Sequence, residues 1–467
     1  MSAYIENVTF DELTVGHSAS LTRTLTRRDI ELFAALSGDV NPAHLDEVYA
    51  KTDRFHGIVG HGLWTGALVS AVLGTVLPGP GTVYLEQDIK FRKPVHPGES
   101  VTVTVTVKEK RTDKPVVTFD CRCTNGQGET VLDGTAVVLA PIEKIRRPRP
   151  DLPEVEVQGH DRFRALLASC ASYPPLRTAI VHPVKAHVVE AIADAVEARL
   201  VEPVLVGPAS RIQAAAQEAQ VDISGWQVVD AEHSHAAAAI AAEMAARQEV
   251  CALMKGSLHS DELLGAILPS AAGLRTERRI SHAYLMDDPS YHKFFIITDA
   301  AINIAPDLEA KADICRNAIN FWRALEGADK KPKVALLAAV ETVSSKMPAT
   351  IDAAALCKMA ERGQIADAVL DGPLALDNAI SRAAALEKGI VSPVVGDADI
   401  LVAPNIEAAN IAAKQLTFLG NADAAGLVLG ARVPVIMTSR ADSLRTRLMS
   451  CALAVRVAAA RREGCFK

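Results

Sequence analysis

Hydrophobic and polar residues alternate along the first third of the chain in the way that antiparallel strands require. The alternation is strictest in Val101–Val107, where every second residue is a valine, as in a strand with one buried face. Two further strand candidates, "PVVTFDCRCTN" and "ETVLDGTAVVLA", follow it, and "TNGQGE" between them indicates a hairpin turn. A long apolar helix candidate, "GLWTGALVSAVLGTVL", comes directly after His61, before the strand candidate "TVYLEQDIKF". The pattern predicts an α+β hotdog domain, in which a meander of strands wraps around one central helix.

The pattern changes to alternating strands and helices in the remaining two thirds of the chain. Apolar strand candidates alternate with helical stretches, and they include "TAIVHP", "EPVLVGP", "WQVVDA", "VCALMKG", "FFIITD", "KVALLAAV", "ADILVAP" and "GLVLGARVPVIMTS". This alternation predicts parallel sheets covered by helices on both faces, folded as two α/β subdomains with a cleft between them. Neither GxGxxG nor GxxxxGK[ST] follows the first of these strands, which disfavours a dinucleotide site and a P-loop.

A proline-rich stretch separates the two patterns. Residues 141–158, "PIEKIRRPRPDLPEVEVQ", mix prolines with charged residues, as extended linkers do. The sequence therefore predicts a hotdog domain over residues 1–143, a linker over residues 144–158 and an α/β region over residues 159–467.

Composition narrows the classes of function. The 467 residues carry a net charge of −7, and no basic run with interleaved aromatic residues occurs, so nucleic acid is not expected as a partner. The eight cysteines form no CxxC pair, so neither a metal site nor a disulfide framework is expected. No signal pattern and no apolar run of membrane-spanning length is present, so we expect a cytoplasmic protein without a membrane partner.

The segment "SGDVNPAHLD" is the first candidate site. It brings a carboxylate (Asp39), an amide (Asn41) and an imidazole (His44) together among turn-forming residues. These residues suit a simple turn with helix caps. They also suit an acid/base pair that holds one water between Asp39 and His44. Gly62, at the start of the long helix, offers a backbone N–H that can receive a thioester oxygen.

The stretches "SGDVNPAHLD", "GIVGHGLWTGALVSAVLG" and "LPGPGTVYLEQDIKFRKPVHPGE" together resemble the MaoC-type (R)-specific enoyl-CoA hydratases, which are hotdog proteins. The resemblance covers residues 10–140. It implies that Asp39 and His44 are the catalytic pair, that Asn41 shapes the site, and that the Gly62 amide belongs to the oxyanion hole. Some hydratases also carry a small hydroxyl on the central helix, a role that Thr65 or Ser70 would have to take here.

A second set of polar residues follows the predicted strands of the α/β region, where ligands bind in open α/β sheets. A serine next to an arginine in such a place suits phosphate, because the guanidinium forks onto two oxygens and the hydroxyl takes a third. Taken separately, each of these residues also fits a bland role as a helix cap or a solvated charge. The candidates are Lys255, Ser257, His259, Ser260, Asn303, Lys346, Ser439, Arg440 and Asp442.

Stretches such as "GLRTERRISHAYLMD", "TDAAINIAPDLEAKADICRNAI", "DGPLALDNAI" and "PVIMTSRADS" resemble the phosphate acetyl/butyryltransferase family over residues 160–467. The resemblance implies a subdomain over about residues 159–281 and 431–467, interrupted by a second one over about residues 282–430, with coenzyme A in the cleft. It implies that Arg440 binds the phosphate or thioester oxygen and that Ser439 stabilises the departing thiolate. Asp442 is the expected acid/base group, although acetyl-specific relatives carry their acid further on, where this chain has Thr446. Acetyl and butyryl specificity both stay open.

Three hypotheses follow. The preferred one is a bifunctional coenzyme A enzyme, with short-chain enoyl-CoA hydration in the hotdog domain and acyl transfer between coenzyme A and phosphate in the α/β region. The second keeps only the transferase active and makes the hotdog domain a module for oligomerisation or sensing. The third is a dehydrogenase with a fused dimerisation domain. We expect coenzyme A thioesters and phosphate as substrates, no tightly bound cofactor, and a homo-oligomer that is a dimer or larger.

Overall fold

The computed structural model describes residues 4–151, 155, 161–269, 272–437 and 443–465. The chain forms two compact units, Met1–Gln158 and Gly159–Lys467, here called the hotdog unit and the α/β unit. In the described residues, no helix combines the length and the apolar character that crossing a membrane demands.

Five antiparallel strands of the hotdog unit form one sheet in the order β2-β4-β5-β6-β3 within the described residues. The strands of this unit are β1 (Tyr4–Glu6), β2 (Ser18–Thr24), β3 (Val83–Phe91), β4 (Ser100–Lys110), β5 (Val116–Asn125), β6 (Thr130–Leu139) and β7 (Arg146–Pro148). Its helices are α1 (Arg27–Ser37), α2 (Pro42–Leu45), α3 (Glu47–Thr52) and α4 (Gly62–Thr75).

Helix α4 is the central helix that the sequence predicts. It is apolar on all sides, and Val69, Val72 and Leu73 are fully buried among residues of the sheet. The valines at positions 101, 103, 105 and 107 of β4 all point into the same core, as their period of two predicts. The expected hotdog arrangement is therefore confirmed.

The segment expected to be an extended linker starts with ordered structure. Arg146–Pro148 form strand β7, which pairs antiparallel with Tyr4–Glu6 of β1. The backbone of Asn7 continues this contact, because its N–H donates to the carbonyl of Ile145 at 3.1 Å. Prolines tolerate such an edge position because the strand has only one neighbour, so composition alone did not reveal it.

The described part of the α/β unit contains one sheet of eleven strands, in the order β10-β9-β8-β11-β18-β17-β12-β13-β16-β14-β15. The strands are β8 (Leu176–Val181), β9 (Val201–Gly207), β10 (Gln227–Asp230), β11 (Ala252–Lys255), β12 (Ser281–Asp287), β13 (Phe295–Thr298), β14 (Lys333–Leu337), β15 (Val369–Leu374), β16 (Ile400–Val402), β17 (Asp423–Leu429) and β18 (Val435–Ile436). The helices are α5 (Asp161–Cys170), α6 (Ala186–Glu197), α7 (Ala209–Ala219), α8 (Ser234–Ala246), α9 (Ser260–Ile267), α10 (Leu308–Glu326), α11 (Pro348–Glu361), α12 (Leu376–Ile380), α13 (Arg382–Glu387), α14 (Ile406–Leu419) and α15 (Leu444–Arg462).

The expectation of purely parallel sheets is wrong at the centre of this sheet. β12 pairs antiparallel with both β13 and β17, and β17 pairs antiparallel with β18. The stretch "GLVLGARVPVIMTS", expected to hold a single strand, contains β17 and β18 joined by a turn at Gly430, whose φ is +84°. The sequence pattern also missed β12 and β15. β12 begins with Ser281 and His282, two polar residues that are nevertheless buried.

Candidate functional sites

The turn at Asp39 performs the capping role that the sequence allowed, and leaves part of its chemistry free. The Asp39 Oδ1 atom accepts the backbone N–H of Asn41 at 3.2 Å. The Oδ1 atom of Asn41 accepts the N–H of Ala43 at 3.1 Å and so caps α2. These bonds shape the loop, while the second carboxylate oxygen of Asp39 faces His44.

His44 is held in one tautomer. Its Nδ1 atom lies 2.8 Å from the carbonyl oxygen of Val59, which only accepts, so Nδ1 carries the proton and Nε2 keeps a lone pair. Nε2 lies 4.0 Å from Oδ2 of Asp39. The His44 side chain is 14% exposed and that of Asp39 is 54% exposed. This gap is too long for a direct hydrogen bond and suits a water shared by the two groups.

His61 joins this pair, and the sequence reasoning missed it. Its Nε2 atom donates to the backbone carbonyl of Asp39 at 3.0 Å. Its ring lies over that of His44, with the centroids 3.8 Å apart and the planes tilted by 34°. His61 therefore contacts both members of the expected catalytic pair. The signal in the sequence was its position immediately before the first residue of α4.

Asp39, His44 and His61 also offer three possible metal ligands, whose atoms lie within 4.8 Å of one another. A metal ion binds a histidine in the plane of its ring, along the nitrogen lone pair. The rings of His44 and His61 overlap at 3.8 Å with only 34° between their planes, and each is fixed by a hydrogen bond to a backbone carbonyl. Two overlapping rings cannot both aim at one ion without turning, so the arrangement suits proton transfer better than coordination.

A pocket of about 400 Å³ adjoins this group, and its lining includes His44, His61, Gly62, Thr65 and Phe91. Gly62 is the first residue of α4, so its N–H has no acceptor within the helix. A Cβ atom at position 62 would lie 3.1 Å from the Phe91 ring, so a side chain there would crowd the pocket. Thr65 is buried in the lining, whereas the other hydroxyl candidate, Ser70, is exposed and is not part of it.

In the α/β unit, the loop after β11 is clamped to the end of β8. The N–H of Gly256 donates to the carbonyl of Val181, and the Nδ1 atom of His182 lies 3.1 Å from the carbonyl oxygen of Ser257. Lys255, the last residue of β11, is only 9% exposed. The Oγ atom of Ser257 is buried without a hydrogen-bond partner among the described residues. A ligand hydroxyl or oxyanion would satisfy it.

His259 and Ser260 form the start of α9. His259 is the N-cap residue, its N–H donates to the Glu262 carboxylate at 3.2 Å, and Ser260 is the first helical residue. The Lys255, Ser257, His259 and Ser260 candidates therefore lie on one continuous segment between a strand and the positive end of a helix, as the sequence suggested.

The loop after β13 is built around a buried carboxylate. Asp299 accepts the backbone N–H groups of residues 301, 302 and 303 and the side-chain amide of Asn303. The second amide hydrogen of Asn303 goes to the carbonyl of Ile280. Asn303 thus uses both amide hydrogens inside the protein, and its role in substrate binding stays a prediction. Burial lowers the pKa of neighbouring His282 to about 4, against the opposing charge of Asp299.

Residues of both loops pack in one hydrophobic cluster of the α/β unit. Leu258, Ile302 and Met437 belong to the same hydrophobic cluster. Met437 is the last described residue before the segment with Ser439, Arg440 and Asp442, and these three candidates lie outside the described residues. Lys346 is exposed in the segment between β14 and α11, and its role in substrate binding is still a prediction.

Comparisons with known proteins follow the same division of the chain. Residues 235–455 match the family described as "Phosphate acetyl/butaryl transferase", and residues 14–123 match "MaoC like domain". The phosphate acetyltransferase of Rhizobium meliloti is 54% identical over 301 residues, which are 64% of this chain and 95% of that relative. The chain belongs to the phosphate acetyl/butyryltransferase family. It carries a MaoC-like hotdog domain in front of the transferase domain.

Solved structures resemble each domain separately. A branched-chain phosphotransacylase from Enterococcus faecalis V583 is 30% identical, with a TM-score of 0.54, over 61% of this chain and 99% of its own. An R-hydratase from Pseudomonas aeruginosa is 42% identical, with a TM-score of 0.32, over 33% of this chain and 99% of its own. The two family matches and the relative from Rhizobium meliloti confirm both resemblances seen in the sequence at the level of family, and the dehydrogenase alternative finds no support among these relatives.

Proposed function

We propose that this transferase is bifunctional and that its MaoC-like domain hydrates short-chain enoyl-CoA thioesters, reversibly, to (R)-3-hydroxyacyl-CoA. The observation that carries the proposal is the His44 Nε2 lone pair, which faces the Asp39 carboxylate across 4.0 Å. An acid/base pair needs this geometry, whereas a turn that only caps a helix does not. The adjoining pocket, with Gly62 in its lining, supplies room for the acyl thioester.

The hydration step uses the residues already described. A water between Asp39 and His44 gives up a proton and adds its hydroxyl to the β-carbon of the double bond. The α-carbon receives a proton from the same pair, so the elements of water are added across the bond. The Gly62 N–H donates to the thioester oxygen, which carries the developing negative charge.

Substitution of the pair tests this activity. Asp39→Asn and His44→Gln should each lower the rate of crotonyl-CoA hydration by roughly 10²–10⁴-fold, because one partner in proton transfer is lost. Hydration is followed by the loss of the absorbance of the conjugated thioester. Asp113→Asn is the matched control, because Asp113 is exposed and pairs with Arg111 in the turn between β4 and β5. If the wild-type chain hydrates no enoyl-CoA of any short length, the domain is a binding or oligomerisation module instead.

For the transferase domain we propose reversible transfer of an acetyl group from acetyl-CoA to phosphate, giving acetyl phosphate and coenzyme A. The acetyl preference is supported by the name of the relative from Rhizobium meliloti. Arg440 is proposed to bind the phosphate or the thioester oxygen, Ser439 to stabilise the leaving thiolate, and Asp442 to move the thiol proton. No covalent nucleophile is needed, because phosphate attacks the acyl carbon directly once both anionic reactants are held in line.

Arg440→Ala should lower phosphate-dependent release of coenzyme A by at least about 10²-fold and leave hydration unchanged. Arg462→Ala is the control, because it removes the same positive charge from an exposed position of α15. Acetyl-, propionyl- and butyryl-CoA are compared in the same assay. A higher kcat/KM for butyryl-CoA would contradict the acetyl preference, and an unchanged rate in Arg440→Ala would contradict the assignment of Arg440. A homo-oligomer is part of the proposal and is checked by light scattering.

A further inference from the structure

Two arginines of the α/β unit line one small pocket, and no acidic residue belongs to its described lining. Arg278 precedes β12 and Arg461 is near the end of α15, and both line a pocket together with Thr276, Asn320 and Phe321. The Nε atom of Arg461 is buried and lacks a hydrogen-bond partner among the described residues. Neither the Arg278 guanidinium nor the Arg461 guanidinium forms an ion pair within the described residues. The two groups are called the Arg278–Arg461 pocket below.

A neighbouring arginine, Arg316, has its positive charge balanced by a carboxylate. Arg316 pairs with the Asp313 carboxylate at 2.7 Å and donates to the carbonyl of Gln364. The other oxygen of Asp313 accepts the backbone N–H of Arg279 at 3.0 Å. Both oxygens of Asp313 are therefore engaged by other groups, and Asp313 forms no ion pair with Arg278 or Arg461 among the described residues.

Holding two like charges in this place is costly. Burial, and then the neighbouring Arg278, lower the pKa of Arg461 to about 10. Burial, and then Arg316, lower the pKa of Arg278, although Asp313 opposes the shift. Buried arginines are normally paired, because the loss of hydration must be offset by an opposite charge. An anion in the pocket would supply that charge.

The pocket lies away from the loops assigned to acyl transfer. Leu429 of its lining belongs to the cluster with Phe321 and Val457, whereas Val428 belongs to the cluster with Leu258 and Met437. Successive strand residues point to opposite faces, so the pocket and the transfer loops lie on opposite faces of the sheet. About 26 Å of helix also separate Arg461 from the start of α15 at Leu444.

We propose that the Arg278–Arg461 pocket binds a small oxyanion, a phosphate or carboxylate group, at a site separate from the transferase centre. Two guanidinium groups offer paired N–H donors that match two oxygens of such a group. Asn320 lines the same pocket and adds an amide. The apolar wall formed by Phe321, Leu429 and Val457 strengthens these charge interactions by excluding water. The pocket offers only about 20 Å³ of space, which excludes a ligand as large as a nucleotide.

The test measures binding of inorganic phosphate and of acetate to the full chain by calorimetry, at constant ionic strength set with chloride. Arg440→Ala serves as the parent, because it removes the phosphate site proposed for transfer. This parent should still bind about one oxyanion per chain. Adding Arg461→Met should weaken that binding at least about tenfold, since one charge-assisted interaction is lost. Adding Arg278→Gln should do the same.

The matched control is Arg462→Met, which removes an equal charge from the next, exposed position of α15. It should leave binding within twofold of the parent. An equal loss of binding in Arg462→Met would overturn the proposal. So would unchanged binding in Arg461→Met and Arg278→Gln, provided that the circular dichroism spectra of both variants show a normal fold. The comparison of phosphate with acetate decides which oxyanion is preferred. Identical phosphate binding in the wild type and the Arg440→Ala parent would count against Arg440 alone, so the two proposals fail separately.

Discussion

At the scale of single residues, the candidate hydratase site shows one side chain serving two purposes. Asp39 uses Oδ1 to hold the turn through the N–H of Asn41, and keeps Oδ2 toward His44. The structural and the chemical interpretations of "SGDVNPAHLD" are therefore compatible. The turn already restricts the Asp39 carboxylate in the free protein. Less conformational entropy of this side chain is therefore lost when the substrate binds.

His61 gives the first prediction at this scale. His61→Phe removes the hydrogen bond to the Asp39 carbonyl and keeps a ring over His44, while His61→Gln keeps a donor and loses the ring. Both should lower kcat for hydration by roughly ten- to a hundredfold, because small displacements of proton-transfer groups are costly. Steady-state kinetics with crotonyl-CoA, together with the pH profile of kcat, measure the effect.

His17→Gln is the control, because His17 lies outside the pocket lining and precedes β2. A variant of His61 with wild-type kcat and an unshifted pH profile would show that the stacked ring contributes only to packing.

At the scale of elements, strands β3 and β6 of the hotdog sheet approach so closely at one position that only glycine fits there. Gly134 of β6 pairs with Ile89 of β3 and with Cys121 of β5. A Cβ atom at this position would lie 1.9 Å from the carbonyl oxygen of Asp88. No rearrangement of a flexible side chain can relieve this overlap, because the contact is with backbone.

Gly134→Ala should therefore destabilise the hotdog unit by at least about 3 kcal/mol. Denaturant unfolding followed by circular dichroism, with the hydration assay, measures the loss. Gly126→Ala in the hairpin turn is the control, since nothing lies within 4 Å of a Cβ atom there. If Gly134→Ala unfolds at the wild-type denaturant concentration, the close approach of β3 to β6 is not present in solution.

The elements of the α/β unit show where sequence patterns lose information. The alternation of strands and helices correctly predicted buried strands such as β8, β9, β11 and β13. It did not predict that β12 and β17 run antiparallel to their neighbours. Hydrophobic periodicity records which face of a strand is buried, and not the direction in which its neighbour runs.

At the scale of the whole molecule, each unit has its own core. The cluster of the hotdog unit contains buried residues from Leu13 to Ala140, and the clusters of the α/β unit begin at Leu166. No described hydrophobic cluster includes buried residues of both units. Since burial of apolar surface is the main source of stability, the two units should unfold independently.

Differential scanning calorimetry should accordingly resolve two transitions in the wild-type chain. Gly134→Ala should shift only one of them, by more than about 5 °C, and leave phosphate-dependent acyl transfer intact. Arg440→Ala should leave both transitions in place while lowering the rate of acyl transfer by at least about 10²-fold. A single transition that shifts as a whole in Gly134→Ala would mean that the units unfold cooperatively.

The sequence by itself determined the two families, the central helix after His61 and the positions of Asp39, Asn41, His44 and Gly62. These features are local, since a turn, a helix start and a period of two are set by neighbouring residues. Only the tertiary structure brought His61 over His44, packed residues of the loops after β11 and β13 in one hydrophobic cluster, and placed Arg278 and Arg461 in one pocket. Those contacts join residues far apart in the chain or set the relative orientation of side chains, and packing of the whole domain decides both.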